Sequence, residues 1–188
     1  MADDEFYTLP DDLPVPVDDG ACDHLPGKAI PGIALDSTAG GPVDLSKANR
    51  PLVLFAYPRT GQPGHPVPEG WDATPGARGC TPQTCAFRDH ERQIAVLGYD
   101  VYGLSTQDTA YQKEMTNRLR VPFPVLSDEG LEFTSALALP TLRFGGMTLI
   151  KRLTLIVSKG VIEKVFYPVF PPHENPDQVV AWLTTHRG

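Results

Sequence analysis

Short apolar runs bounded by Gly and Pro alternate along the chain with amphipathic stretches of helical period, and the order of the two patterns sets the fold class. Ile33-Ala34-Leu35 and Val43-Asp44-Leu45 flank Gly40-Gly41 as the arms of a two-stranded hairpin do. Leu52-Val53-Leu54-Phe55 is a continuous apolar run of strand length, which reads as a central strand buried on both faces of a sheet. Residues 58–79 then carry Pro63-Gly64, Pro66, Pro68, Gly70 and Pro75-Gly76, which excludes both a helix and an interior strand and predicts a long loop. Loops of that length inside compact domains are often functional. A helix is predicted to start at Thr81-Pro82, with Thr as the cap and Pro at the first helical position, and to run to about Leu97 before Gly98. Ala86, Phe87, Ile94, Ala95 and Leu97 form its apolar stripe, and Arg88, Asp89, Glu91 and Arg92 its wet one.

Beyond it the pattern gives a strand over 101–104, a helix over 109–119, a strand over 123–126 and a short helix over 131–137. A hairpin of 153–157 and 161–167 turns at Ser158-Lys159-Gly160, and a last helix covers 177–185 behind Asn175-Pro176. This order predicts an α/β fold, a central mixed sheet with helices on both faces and an N-terminal β-hairpin. Residues 1–26, rich in Pro and Asp, read as an extended arm, and 27–188 as one domain with a Pro/Gly-rich insertion at 59–79.

Composition narrows the function classes. A net charge of −7 and no Lys/Arg cluster interleaved with aromatics disfavour nucleic acid as a partner. The acidic N-terminal sequence does not read as a secretory signal, and no apolar run reaches the ~18 residues of a membrane helix, so a cytoplasmic protein is expected. Three cysteines, Cys22, Cys80 and Cys85, are too few for a secreted disulfide scaffold, and in a reducing compartment the close pair points to redox chemistry or a metal. His24, His65, His90, His173 and His186 fall at no zinc-ligand spacing, so neither a metal nor another cofactor is expected. Cys22, in the arm, reads as a bystander.

The chemistry concentrates in Gly79-Cys80-Thr81-Pro82-Gln83-Thr84-Cys85, where the long loop meets the helix. Backbone N–H groups and the macrodipole at a helix N-terminus stabilise an anion, and the thiolate is the nucleophilic form of cysteine. Arg78 in the loop and Arg152 before the last hairpin are the candidate cations, since a guanidinium holds its charge and its donor fork can engage both a sulfur and a peroxide oxygen. If residues 80–85 form one regular helix, five steps separate the two Cα atoms by roughly 8–9 Å. A disulfide needs them within about 7 Å.

Phe55-Ala56-Tyr57-Pro58 followed by Gly79-Cys80-Thr81-Pro82-Gln83-Thr84-Cys85-Ala86-Phe87-Arg88-Asp89 resembles the peroxidatic segment of peroxiredoxins of the bacterioferritin-comigratory-protein or peroxiredoxin Q type. The resemblance extends through Gly103-Leu104-Ser105, 122–128 and 151–157, and spans roughly residues 27–185. It implies a thioredoxin-like fold and a peroxidatic Cys80, a resolving Cys85 that closes a disulfide with it, and Arg152 in the active site. It further implies hydrogen peroxide and organic hydroperoxides as substrates, a thioredoxin-like thiol reductant as partner, and a monomer or weak homodimer.

The family pattern Pro-x-x-x-Thr-x-x-Cys is interrupted here. Pro58 lies 22 positions before Cys80 (80 − 58), and Ala77 stands where the pattern has Thr. Thr60 and Thr74 are the candidates for the missing hydroxyl. Thr74 is favoured because Thr74-Pro75-Gly76 resembles the family's Thr-Pro-Gly displaced by the insertion. The interruption keeps a second function in view: a redox sensor or binding module in which the insertion blocks the peroxide pocket and the disulfide only signals.

Overall fold

The computed structural model describes residues 8–186. Its centre is a seven-stranded mixed sheet of order β2-β1-β5-β4-β3-β8-β9, made of β1 (Ala34–Ser37), β2 (Pro42–Asp44), β3 (Leu52–Ala56), β4 (Asp100–Ser105), β5 (Val125–Ser127), β8 (Leu153–Ser158) and β9 (Val161–Phe166). β3, β4 and β5 run parallel and the remaining neighbours antiparallel. The helices are α1 (Cys80–Val96), α2 (Thr109–Leu119), α3 (Glu132–Leu137) and α4 (Asn175–Thr185).

The apolar run of β3 shows why both faces are covered. Leu52, Leu54 and Ala56 point to one core, shared with Phe133 and Leu137 of α3, while Val53, Phe55 and the following Tyr57 point to the other, shared with Phe87 and Ile94 of α1, Met115 of α2 and Val179 of α4. That is the period of two of a pleated strand, with no polar face left over. Phe55 stacks on Phe87 with ring centroids 4.2 Å apart, tying α1 to the central strand.

Several expected boundaries move, each for a local reason. The helix after the long loop begins at Cys80, one residue before Thr81, because Gly79 takes the left-handed conformation (φ 102°) and turns the chain there. Gly79 makes no side-chain cap, and Thr81 is buried within the first turn. The strand expected over 123–126 covers Val125–Ser127 instead, since Pro124 cannot donate to a ladder and Phe123 turns into the core around α1. The last helix takes in Asn175-Pro176, proline being tolerated in a first turn. An unforeseen hairpin, β6 (Thr141–Phe144) and β7 (Met147–Ile150), turns at Gly145-Gly146 and forms a second sheet.

At the N-terminal side, residues 20–27 are turns rather than extended chain. Cys22 and Leu25 lie in the core around α3, and His24 Nε2 is 2.9 Å from the Leu137 carbonyl. The expected arm over residues 1–7 lies outside the described residues. No described helix is long and apolar enough to cross a membrane.

Candidate active site

The strand ladder brings the two halves of the site together. β8 pairs antiparallel with β3, with Leu153 opposite Ala56, so Arg152 emerges beside the C-terminal end of β3, where the loop to α1 departs. Arg152 is only 3% exposed, and its guanidinium organises the start of α1. Nη2 donates to the carbonyls of Gly76 (3.3 Å), Ala77 (3.2 Å) and Arg78 (3.0 Å) and lies 3.2 Å from Cys80 Sγ. Nη1 donates to Gln83 Oε1. Gln83 Nε2 donates in turn to Asn175 Oδ1 at 3.2 Å, and Thr154 Oγ1 donates to the same oxygen at 2.6 Å.

These contacts contain no carboxylate. A buried cation needs a compensating anion, and among the described residues Cys80 Sγ is the one group touching Arg152 that can become one. As a thiol, Cys80 donates to the Ala77 carbonyl at 3.5 Å. Gln83 and Asn175, which hold the guanidinium from behind, escaped sequence reasoning, because nothing in their spacing places β8 and α4 against the first turn of α1.

Cys80 is 3% exposed and opens onto a cavity of about 40 Å³, room for roughly three water-sized molecules. The insertion builds most of its wall, from Arg59 and Thr60 through Val67 and Trp71 to Arg78, and Tyr111 of α2 closes it. The insertion is seated on the β6–β7 hairpin by a small core of Trp71, Ala77 and Leu149, with Trp71 edge-on to Phe144 at 4.9 Å.

Of the two threonines proposed to supply the hydroxyl, Thr60 lines this cavity and Thr74 does not. Thr74 Oγ1 is committed to the Gly70 carbonyl at 2.9 Å within a turn of the insertion, whereas Thr60 is buried and donates to Gln107 Oε1 at 3.1 Å. The expectation for Thr74 is corrected accordingly: its hydroxyl is spent on Gly70 within the insertion, although Gly76 of the same tripeptide reaches Arg152. Pro58 is buried between Tyr57 and the cavity-lining Arg59 but does not itself line the cavity. Arg78 lines it with its guanidinium 3.2 Å from Asp72, so Arg152, rather than Arg78, reaches the sulfur.

Cys85 stands one helical turn and a half further along α1, in a separate groove with Leu9, Pro10, Phe170 and Pro171. Burial pushes its thiol above the usual cysteine range. All three cysteines are free, and Cys22 is buried far enough that its thiol is pushed up to about 12. Among the described residues no group of three or more His, Cys, Asp or Glu is placed to hold a metal ion.

Comparison with known proteins agrees with this architecture. Residues 25–181 match the Redoxin family. The chain is 35% identical to the chloroplastic peroxiredoxin Q of Oryza sativa subsp. japonica over 159 residues, 84% of this chain and 65% of that protein. It is 33% identical to that of Sedum lineare, covering 84% and 76% respectively. The chain thus spans about two-thirds of the length of the rice protein. Among solved structures, peroxidoxin BcpB of Mycobacterium tuberculosis superposes with a TM-score of 0.71 at 24% identity over 88% of this chain and 100% of that one. Peroxiredoxin Q of Xanthomonas campestris gives 0.69 at 21%, over 88% and 98%. These likenesses show a thioredoxin-like fold, and the sequence match places the chain in the Redoxin family, among the peroxiredoxins of the peroxiredoxin Q and bacterioferritin comigratory protein type.

Proposed function

We propose that this chain is a thiol-dependent peroxidase in which Cys80 attacks the peroxide and Cys85 resolves the product. The observation that carries the proposal is the contact of Arg152 Nη2 with Cys80 Sγ, at 3.2 Å beside a cavity of peroxide size. The ionised sulfur attacks one peroxide oxygen, the O–O bond breaks, and the departing oxygen takes up a proton to leave as water or an alcohol. Cys80 is left as a sulfenic acid. The thiolate of Cys85 then displaces hydroxide from that sulfur, a proton joins it to make water, and a disulfide remains for a dithiol reductant to open with two electrons. Arg152 supports the first step by holding the sulfur as its anion, from behind the cavity rather than from its wall.

Hydrogen peroxide and organic hydroperoxides are the proposed substrates, and a thioredoxin-like protein the proposed reductant, acting on a cytoplasmic monomer or weak homodimer. The sensor reading rested on an insertion that blocks the pocket. The insertion walls the cavity without filling it, which favours turnover. Peroxide consumption with a thiol reductant is the test. Wild-type protein is expected to turn over and Cys80→Ser to be inactive. Full activity in Cys80→Ser would end the proposal.

A further inference from the structure

The wall that the insertion builds around Cys80 is charged with one sign. Arg59 and Arg78 both line the cavity, and among the described residues no Asp or Glu does, in a chain whose net charge is −7. Arg78 is already matched with Asp72 outside the lining. Arg59 forms no salt bridge among the described residues. It is nevertheless held in place, with its guanidinium carbon 5.8 Å from the centroid of the Tyr111 ring, over the face. Tyr111 is itself fixed by a 3.0 Å hydrogen bond from its hydroxyl to the Thr60 carbonyl. A guanidinium so stacked keeps its in-plane N–H donors for another acceptor.

The rest of the wall sets shape and size. Val67 and Trp71 give an apolar side, and Trp71 is anchored against Phe144, so this side is braced by the β6–β7 hairpin. The volume of about 40 Å³ next to the sulfur has room for the reacting end of a peroxide.

We propose that the insertion makes the Cys80 site selective for hydroperoxides that carry an anionic group, with Arg59 as the residue that receives the anion. This rests on the peroxidase reading for the substrate, while the charge preference of the pocket stands apart from it and can be measured without peroxide. Iodoacetate and iodoacetamide are near-isosteric alkylating agents, one anionic and one neutral. Their rates at Cys80, followed by peptide mass mapping of the full-length protein, should favour iodoacetate by about fivefold relative to the same ratio at a free cysteine. This is the order expected of one half-exposed ion pair. Arg59→Gln should lower that ratio severalfold, Arg59→Lys should restore most of it, and added salt should weaken it.

In peroxide assays, the kcat/KM ratio of a short carboxylate-bearing alkyl hydroperoxide to tert-butyl hydroperoxide should fall by a similar factor in Arg59→Gln. An alkylation ratio unchanged by Arg59→Gln overturns the proposal whatever the peroxide data. An alkylation ratio that shifts without any peroxide turnover in the wild type supports the charged pocket and removes the peroxidase reading and, with it, the assignment of hydroperoxides as ligands.

Discussion

Cys80 and Cys85 lie five residues apart on the unbroken helix α1 yet open onto different cavities, Cys80 onto the pocket walled by the insertion and Cys85 onto the groove beside Leu9 and Phe170. Five helical steps rotate the chain by ~140° and separate the two Cα atoms by roughly 8–9 Å, beyond the reach of a disulfide. The bridge therefore forms only if the first turn of α1 unwinds. Amide exchange should show residues 80–90 protected in the reduced protein and exposed after one equivalent of peroxide, with Cys85→Ser staying protected. Equal protection in both wild-type states would mean that the two cysteines do not pair.

Arg152→Lys keeps a charge near Cys80 but cannot hold the Gly76, Ala77 and Arg78 carbonyls, Gln83 and the sulfur together. A hydrogen bond to a charged group is worth about 1.5–3 kcal/mol, so the rate of sulfenic-acid formation should fall by roughly 10- to 100-fold. Stopped-flow measurement of that step checks it. An Arg78→Lys variant that slows the step more than Arg152→Lys does would reverse the two roles.

Thr60, and not Thr74, stands in the cavity wall. Its hydroxyl proton goes to Gln107, which leaves the oxygen free to accept a hydrogen bond from a peroxide O–H. Thr60→Val should lower kcat/KM for hydrogen peroxide about tenfold, the cost of one hydrogen bond, and Thr74→Val should change it less than twofold. The reverse ranking would return the role to the displaced Thr-Pro-Gly.

Gly79 combines φ 102° with a packed surround, so that a Cβ there would lie 2.4 Å from Pro172 Cγ and 2.9 Å from Leu9 Cδ2. Gly27, at φ 84°, has nothing within 4 Å of the same position. Gly27→Ala should therefore cost about 1 kcal/mol, the left-handed conformation alone, and Gly79→Ala about 2–4 kcal/mol, because Pro172 or the helix start must also shift. Urea unfolding of the two variants separates these terms. Equal midpoints would show that the neighbours of Gly79 yield freely.

What the sequence made legible divides along the range of the interactions. β3 was readable because its burial on both faces leaves five consecutive apolar residues, and α2 because its period is local. The β6–β7 hairpin has a local signal too, Gly145-Gly146 between two short runs, but its strands of four residues are too short to stand out from loop. The contacts of Arg152 with Gln83 and with Cys80, 69 and 72 positions away, depend on strand order and had no local mark. The choice between Thr60 and Thr74 depends on how the insertion folds, which spends the Thr74 hydroxyl on Gly70.

Cys22 supplies the last prediction, on the alkaline side of stability. Burial among Leu25 and its neighbours raises its thiol from 9.0 to about 12, with Asp18, Asp19 and Asp23 adding to the effect. Because the folded value lies above the unfolded one, the unfolded chain loses this proton first. The contribution is fully present below about pH 9 and is lost as pH rises towards 12. Tyr57 and Tyr167 are raised in the same direction, so the alkaline limb has several sources. In Cys22→Ala the urea midpoint should be lower at neutral pH because a buried sulfur is removed, yet its further decline between about pH 8 and about pH 10.5 should be shallower than in the wild type. The native Cys22 thiol should also resist iodoacetamide at about pH 8 while Cys80, which faces a cavity, reacts. A decline equally steep in the variant, or ready alkylation of Cys22 in the folded protein, would show that Cys22 is not held as a buried neutral thiol.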